Sequence, residues 1–271
     1  LAYRGLVASS RRLRALITND DGIDAPGLWT LAAGAREAGL DVVVAAPHVD
    51  ASGVGASVLS VREDGRTRLH PRENPELAGV PAYAVEGHPA FIVLAAGRGW
   101  LDPAPDLVLS GVNLGANTGR SVLHSGTVGA ALTAALHGWR GLAVSLDTGP
   151  RPPEYPHWST VLTVLPQVID ILLGSEDATA LSLNVPDRPA AELGDLREAR
   201  LSRYGIVQVR VDERRGDDGH ALHATLTDEP AEPEPGTDTA LLADGHPTIT
   251  RLHSVGELAG VLPAVSVGAA G

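Results

Sequence analysis

Three loops rich in polar side chains or glycine follow apolar segments of the chain and could do chemistry together. The first holds two adjacent carboxylates, Asp20 and Asp21, directly after the apolar residues 13–18. The second includes Ser52 beside a glycine pair, and the third carries Asn113 and Asn117 in a Gly- and Asn-rich stretch. Because ligands of open α/β sheets bind outside the carboxyl ends of the strands, we expect these loops to converge on one site.

The carboxylate pair indicates a metal site. Two adjacent carboxylates repel each other, and burying them is costly unless a cation neutralises the pair. Mg²⁺ and Mn²⁺ prefer oxygen ligands, which a Ser52 hydroxyl and an Asn113 amide could supply beside Asp20 and Asp21. We therefore predict one divalent ion per subunit, bound by these four residues. For Asp-Asp-Gly alone, a helix cap or an Asx turn remains an alternative.

A second group of residues indicates phosphate binding. Apolar residues recur at helical spacing after Thr127, so a helix should begin there with its free N–H groups facing the loop. Such a helix start binds phosphate without lysine, which makes Ser125, Gly126 and Thr127 candidate phosphate-binding residues. Ordinary N-capping explains Ser125 or Thr127 equally well. Together, a metal and an anion site indicate phosphate-ester hydrolysis by metal-activated water.

Alternating strands and helices must position these loops. The patterns predict strands at residues 13–18, 41–46, 106–110, 141–146 and 180–185, and helices at 25–38, 89–97, 127–137 and 157–173. Apolar strands that alternate with helices favour an α/β fold with a Rossmann-like, doubly wound, mostly parallel sheet. Residues 62–79 read as an exposed excursion. Strands at 204–211 and 220–226 around a turn at 214–219 predict a C-terminal β-hairpin extension, and 248–252 is another extended candidate.

These patterns divide the chain into three parts. We expect a flexible N-terminal extension at 1–12, a catalytic core at 13–186 and a C-terminal extension at 187–271. No apolar run approaches the roughly 20 residues of a membrane helix, so we expect a cytoplasmic protein without a membrane partner.

Composition excludes other chemistries. The 271 residues include 21 basic and 33 acidic side chains, for a formal charge of −12, and the chain contains no Cys, Met or Lys. Without Cys there is no thiolate metal site and no cysteine nucleophile, and without Lys there is no P-loop lysine and no Schiff base. The acidic balance argues against a nucleic-acid polymer as partner. A small phosphate ester remains compatible if a metal and backbone amides supply the positive field.

Several motifs resemble the SurE-type survival proteins, a family of metal-dependent nucleoside-monophosphate phosphatases. They are ITNDDGIDAPGL at 17–28, SGVGAS at 52–57, YAVEGHPA at 83–90, PDLVLSGVNLGANTG at 105–119, HSGTVGAA at 124–131 and LNVP at 183–186, with a weaker similarity at 236–250. The resemblance implies that Asp20, Asp21, Ser52 and Asn113 bind the metal and that Asn117, Ser125 and Thr127 lie at the phosphate. It also implies a homodimer or homotetramer, with the C-terminal extension at 187–271 contributing to oligomerisation.

The resulting hypothesis is a phosphomonoesterase that hydrolyses nucleoside 5′- and 3′-monophosphates, with Asp20, Asp21, Asn117 and Ser125 as catalytic residues. A nucleotide-binding regulatory protein of the same fold with little or no turnover is the main alternative. An aspartyl-phosphate phosphatase ranks low, because Asn19 stands where that mechanism needs an aspartate nucleophile. A dinucleotide enzyme is disfavoured, because no Gly-x-Gly-x-x-Gly follows the first strand.

Four residues depart from the family pattern. His88 and Phe91 replace polar residues, His124 stands at a position that is often Tyr, and Thr133 stands where Glu is common. His88 and His124 could act as general acids, although surface or helix-end histidines explain them as well. None of the four replaces a metal ligand implied by the resemblance.

Overall fold

The computed structural model describes residues 11–61, 64–203, 208–216, 219–227 and 234–253. Residues 1–10 of the predicted N-terminal extension therefore lie outside the described residues. Eleven strands are present in this part of the chain: β1 Arg14–Thr18, β2 Asp41–Pro47, β3 Leu69–Arg72, β4 Ala82–Val85, β5 Leu107–Leu114, β6 Arg140–Asp147, β7 Ala180–Pro186, β8 Arg197–Glu198, β9 Gln208–Gly216, β10 Gly219–Thr227 and β11 Thr248–Leu252. The α-helices are α1 Pro26–Glu37, α2 Pro89–Ala95, α3 Gly126–Leu136, α4 Leu165–Gly174 and α5 Asp238–Ala243.

Nine of the strands form one sheet in the order β3-β4-β2-β1-β5-β6-β7-β11-β8. The pairs from β4 to β7 are parallel, whereas β3 pairs antiparallel with β4 and β11 pairs antiparallel with β7. This mostly parallel α/β sheet confirms the predicted fold class. The five predicted central strands are present, and the edge strands extend the sheet on both sides.

Successive side chains of the central strands face opposite layers of helices. Ile17 belongs to an apolar cluster with Leu28 of α1 and Val168 of α4. Its neighbour Leu16 belongs to a second cluster with residues of α2 and α3. Since alternate residues of a strand point to opposite faces, β1 is covered on both sides and must be apolar throughout. This double cover fixes the carboxyl end of β1, where Asp20 and Asp21 follow.

The structure corrects several predicted boundaries. The segment predicted as one helix at 157–173 is divided into a 3₁₀ turn, Trp158–Thr163, and α4, whose first turn contains Pro166. Proline cannot donate a backbone hydrogen bond to the preceding turn, which explains the break. The predicted excursion at 62–79 contains β3, and β4 follows it. The first turn of α2 begins as predicted at Pro89, but the α-helix ends at Ala95.

The strand predicted at 106–110 continues to Leu114, because β5 passes through a β-bulge. Gly111 in this bulge has φ +138°, and a Cβ there would lie 2.1 Å from the Val144 carbonyl oxygen. Only glycine fits such a position. Gly111, which belongs to the segment predicted as a loop, therefore lies within β5. The longer strand places Asn113 at the carboxyl edge of the sheet.

The C-terminal β-hairpin is present and longer than predicted. β9 pairs antiparallel with β10 from Gln208 opposite Thr227 to Gly216 opposite Gly219. The turn predicted at 214–219 was wrong for residues 214–216, which continue β9, while residues 204–207 and 217–218 lie outside the described part. β8 and β11, from the predicted C-terminal extension, join the main sheet. No helix among the described residues has both the length and the apolar character needed to cross a membrane.

Candidate functional site

Asp20 lies in the interior between the end of β1 and the start of α3. Asp20 is only 3% exposed to solvent. Its carboxylate accepts a hydrogen bond from the Thr127 hydroxyl, and its backbone oxygen accepts one from the amide of Ala51 at 2.8 Å. A Cβ on Gly126 would lie 2.7 Å from the Asp20 carboxylate. The Gly126-Thr127 sequence therefore lets α3 begin directly against Asp20.

Thr127 connects Asp20 to the end of β5. Its buried hydroxyl lies 3.3 Å from Asn113 Oδ1, and Asn113 Nδ2 donates to the Gly115 carbonyl at 2.7 Å. Asp21 joins the same strand end, because its carboxylate accepts the Leu114 amide at 3.2 Å. The loop after β1, the end of β5 and the start of α3 thus place two carboxylates and an amide oxygen together.

Asn19 shapes the turn that presents the two carboxylates, a role that the sequence analysis missed. Its Nδ2 donates to the Gly22 carbonyl at 3.0 Å and its Oδ1 accepts the Gly22 amide at 3.2 Å. Gly22 has φ +100°, which favours glycine. An Asn three residues before a Gly was the available sequence signal for this Asx-type turn.

Burial makes the two carboxylates difficult to ionise. Burial raises the pKa of Asp20 above its usual range, although hydrogen bonds from Thr127 and nearby backbone amides oppose the shift. The pKa of Asp21 rises to about 7, first because it is buried and then because the charges of Asp20 and Asp50 repel its own. The interactions that shift these two pKa values include no cationic side chain. Among the described residues, therefore, no cationic side chain stabilises the ionised form of either carboxylate.

Ser52 lies on the loop beside this pair and is exposed. Its hydroxyl donates to Asp50 at 2.6 Å, so within the described residues it contacts Asp50 rather than Asp20 or Asp21. Two backbone hydrogen bonds fix this loop. The Ala51 amide donates to the Asp20 carbonyl, and the Gly55 amide donates to the His124 carbonyl at 3.0 Å. Ser52 thus belongs to the same sheet edge without direct contact to the carboxylates.

The start of α3 is engaged by the protein's own groups. Ser125 Oγ accepts the Val128 amide at 3.1 Å, which makes Ser125 the N-cap of α3. The backbone amides of Gly126 and Thr127 act on Asp20. A phosphate here would have to share these amides with Asp20. The Ser125 hydroxyl still has its own hydrogen to donate, because a serine oxygen can accept and donate at once.

Asn117 lies on the loop after β5 and is held by two buried residues that the sequence analysis had not singled out for any role. Its Nδ2 donates to Ser145 Oγ at 2.8 Å. Its backbone amide and carbonyl pair with the side chain of Asn184 at 2.8 and 3.0 Å. Ser145 and Asn184 are neighbours on β6 and β7, on the face that carries Asn113. Asn117 therefore stands beside the Asn113 strand end, with its amide orientation fixed.

Comparison with known proteins identifies the family. The family model described as Survival protein SurE matches residues 15–208. This chain belongs to the SurE family. The 5′-nucleotidase SurE of Rhodopseudomonas palustris (strain BisB18) is 37% identical over 253 residues, covering 89% of this chain and 93% of that protein. The 5′-nucleotidase SurE of Methylocella silvestris (strain DSM 15510 / CIP 108128 / LMG 27833 / NCIMB 13906 / BL2) is 36% identical over 244 residues, with the same coverage.

A solved SurE structure has the same fold. The crystal structure of the SurE protein from Aquifex aeolicus matches with a TM-score of 0.70 and 28% sequence identity, covering 89% of this chain and 93% of that chain. The resemblance recognised in the sequence motifs is thereby confirmed. The family match includes all the candidate site residues between Asp20 and Thr127 and ends before α5.

The donor atoms of this SurE chain fit a hard divalent cation. Among the described residues, no group of three or more His, Cys, Asp or Glu side chains is arranged to hold a metal ion. The candidate set is instead two carboxylates with an amide oxygen and a hydroxyl, all of them oxygen donors of the kind that Mg²⁺ and Mn²⁺ prefer. The raised pKa of Asp21 supports the same interpretation, because a bound cation would stabilise its ionised form.

None of the four departures from the SurE pattern replaces either carboxylate of the site. His88 precedes α2 and its buried Nδ1 has no hydrogen-bond partner within the described part of the chain, while Phe91 packs against Gly87. Thr133 is buried and donates to the Gly129 carbonyl within α3. His124 is exposed, and its backbone carbonyl anchors the Ser52 loop. The contacts seen for Phe91 and Thr133 are packing and helix contacts.

Proposed function

We propose that this SurE protein is a divalent-metal-dependent phosphomonoesterase that hydrolyses nucleoside 5′-monophosphates, and also 3′-monophosphates, to nucleoside and phosphate. The observation that carries the proposal is the Asp20–Asp21 pair at the start of α3, with Asp20 buried, Asp21 half-buried, Asn113 beside them and no cationic side chain among the described residues acting on the pair. The relatives named 5′-nucleotidase SurE supply the substrate class.

Asp20, Asp21, Ser52 and Asn113 would hold the ion, which is Mg²⁺ or Mn²⁺ in this proposal. When bound, the ion would stabilise negative charge on the phosphoryl oxygens and activate water as the nucleophile. Thr127 fixes Asp20 through its hydroxyl, and the Leu114 amide fixes Asp21. These bonds hold both carboxylates in place before the ion arrives, which is the preorganisation that a catalytic site needs.

The chain's own donors would bind the phosphate. Asn117 uses one Nδ2 hydrogen for Ser145 and keeps the second for an anion, and Ser125 keeps its hydroxyl hydrogen. In this proposal Gly126 and Thr127 contribute backbone amides at the positive end of α3. Because both kinds of donor are neutral, the ion provides the positive charge that a chain without Lys at this site lacks.

The substrate is a small phosphate ester, and a homodimer or homotetramer is part of the same proposal because the family resemblance implies it. The decisive experiment measures phosphate release from 5′-AMP, 3′-AMP and p-nitrophenyl phosphate with Mg²⁺, with Mn²⁺ and with excess EDTA. We expect turnover of the nucleotides that needs the ion.

Asp20→Asn should reduce turnover by more than the roughly 10- to 100-fold that loss of an outer-shell partner costs. Asp24→Asn, at an exposed carboxylate on the same loop, should leave turnover unchanged. Full activity in EDTA would refute metal dependence. Calorimetric binding of AMP without any hydrolysis would instead support the regulatory alternative.

A further inference from the structure

The loop formed by residues 117–119 carries Asn117 and is held at its first residue by Asn184. This side chain is 2% exposed. Its Oδ1 accepts the Asn117 amide at 2.8 Å, and its Nδ2 donates to the Asn117 carbonyl at 3.0 Å. Both backbone groups of one loop residue are therefore bonded to one side chain of β7. These two hydrogen bonds fix the position and the orientation of Asn117.

The same loop is held at its other end by Asp238, the first residue of α5. Asp238 is 1% exposed, and its Oδ2 accepts the Gly119 amide at 2.7 Å. Its Oδ1 accepts the amides of Ser202 and Thr239, both at 2.9 Å. Three backbone amides thus converge on one buried carboxylate, and hydrogen bonds to a charged group are stronger than neutral ones.

Asp238 connects three separate segments of the chain. Gly119 belongs to the loop after β5, Ser202 follows β8, and Asp238 itself begins α5, beyond the residues that the family model matches. A second contact supports this connection, because the Arg120 amide donates to the Ser202 carbonyl at 3.2 Å. Asp238, in the C-terminal part of the chain, is therefore hydrogen-bonded to the loop that carries Asn117, a candidate phosphate-binding residue.

We propose that Asn184 and Asp238 are positioning residues of the active site. They hold the 117–119 loop from both ends, so that the Asn117 amide remains bonded to Ser145 and presents its second Nδ2 hydrogen to the phosphate. The inference rests on the proposed function. A group that must meet a reacting phosphate has to be held within a fraction of an ångström, and side chains on rigid elements do so better than a free loop.

Two pairs of variants test the proposal. Asp238→Asn keeps the shape of the side chain but places an NH₂ group against a backbone N–H, and Asn184→Ala removes both bonds to Asn117. Thr237→Ala is the matched control for the first, because Thr237 caps α5 without bonding to the loop. Ser182→Ala is the matched control for the second, since Ser182 is buried on β7 and its hydroxyl has no partner among the described residues.

We expect kcat/KM for AMP to fall by about 10- to 100-fold in Asp238→Asn and Asn184→Ala, the range for loss of a supporting bond around a metal site. The two controls should stay within about twofold, although Thr237→Ala loses a helix cap and lowers Tm. Asp238→Asn should also cause little further loss in an Asn117→Ala background, because residues that act through one group are not additive. Wild-type kcat/KM in Asp238→Asn, or a loss that adds fully to that of Asn117→Ala, would overturn the proposal.

Hydrogen exchange provides a measurement that does not depend on activity. Peptides covering residues 115–120 should exchange faster in Asp238→Asn than in the wild type and in Thr237→Ala. Unchanged exchange of these peptides would overturn the positioning role even if activity fell. If the wild-type chain hydrolyses no phosphate ester, the proposed function fails, and the exchange result still decides whether Asp238 holds the loop.

Discussion

Replacing Asp21 with Asn should stabilise the metal-free protein at alkaline pH, although Asp21 is proposed to bind the metal. Burial and the charges of Asp20 and Asp50 raise the pKa of Asp21 from 3.8 to about 7. The folded state therefore holds a proton that the unfolded state releases, so this residue makes stability fall as the pH rises from about 4 to about 7. At one pKa unit per roughly 1.4 kcal/mol, ionised Asp21 costs the folded state about 4 kcal/mol at pH 8.

Asn cannot ionise and so avoids this cost. Between pH 4.5 and pH 8, in EDTA, the free energy of unfolding of Asp21→Asn should rise by about 3 kcal/mol relative to the wild type. For a chain of this size that difference corresponds to about 6 to 12 °C in Tm. Urea unfolding followed by circular dichroism at both pH values measures it, with exposed Asp24→Asn as the control that should show no such pH dependence.

Divalent metal should close most of the difference in stability between the two proteins. At pH 8 a ligand that binds only the folded state adds about 2.7 kcal/mol at 100 times its Kd, so Mg²⁺ or Mn²⁺ should raise the Tm of the wild type. Asp21→Asn should gain little. The reasoning is refuted if Asp21→Asn is destabilised equally at pH 4.5 and pH 8 in EDTA, because the cost of ionising Asp21 in the folded state would then be absent.

Three further substitutions test the packing around the site. Gly126→Ala places a Cβ 2.7 Å from the Asp20 carboxylate and should lower nucleotidase turnover by at least about tenfold in a phosphate-release assay, while circular dichroism remains native. Thr127→Val removes the hydroxyl that Asp20 accepts and should weaken the metal-induced rise in Tm, whereas Thr127→Ser should retain it. Gly141→Ala places a Cβ 2.3 Å from the Ala131 carbonyl oxygen and should destabilise the fold by about 1 to 3 kcal/mol in urea without altering the metal dependence of Tm.

The central layers of the fold were predictable because their signals are local. Residues 42–46 are an uninterrupted apolar run, and such runs alternating with helical patterns leave few arrangements other than a parallel sheet. The edge strand β3 was missed because its four residues, Leu69–Arg72, include a proline and are mostly exposed. A short, polar edge strand has no apolar periodicity to detect.

The candidate site was predictable in its residue types and not in its contacts. Asp20, Asp21, Asn113 and Thr127 stand out because they follow apolar segments or begin a helix. The bonds of Asn184 and Asp238 to the 117–119 loop join residues 67 and 119 positions apart, so no local pattern reveals them. The structure also differs from the prediction at Thr127. Its buried hydroxyl donates to Asp20 and so is not free to donate to a phosphate.

The neutral donors around Asp20 and Asp21 have different consequences for the metal-free and the metal-bound site. Asp20 and Asp21 are stabilised by hydroxyl and amide donors, which orient a carboxylate but add no full charge. A lysine or arginine in place of these neutral donors would lower the pKa of Asp21. It would also repel a divalent ion and so weaken its binding to the carboxylates. Since burial and then the charges of Asp20 and Asp50 raise the pKa of Asp21, a cationic side chain introduced beside it should lower that pKa and also weaken the stabilisation by metal.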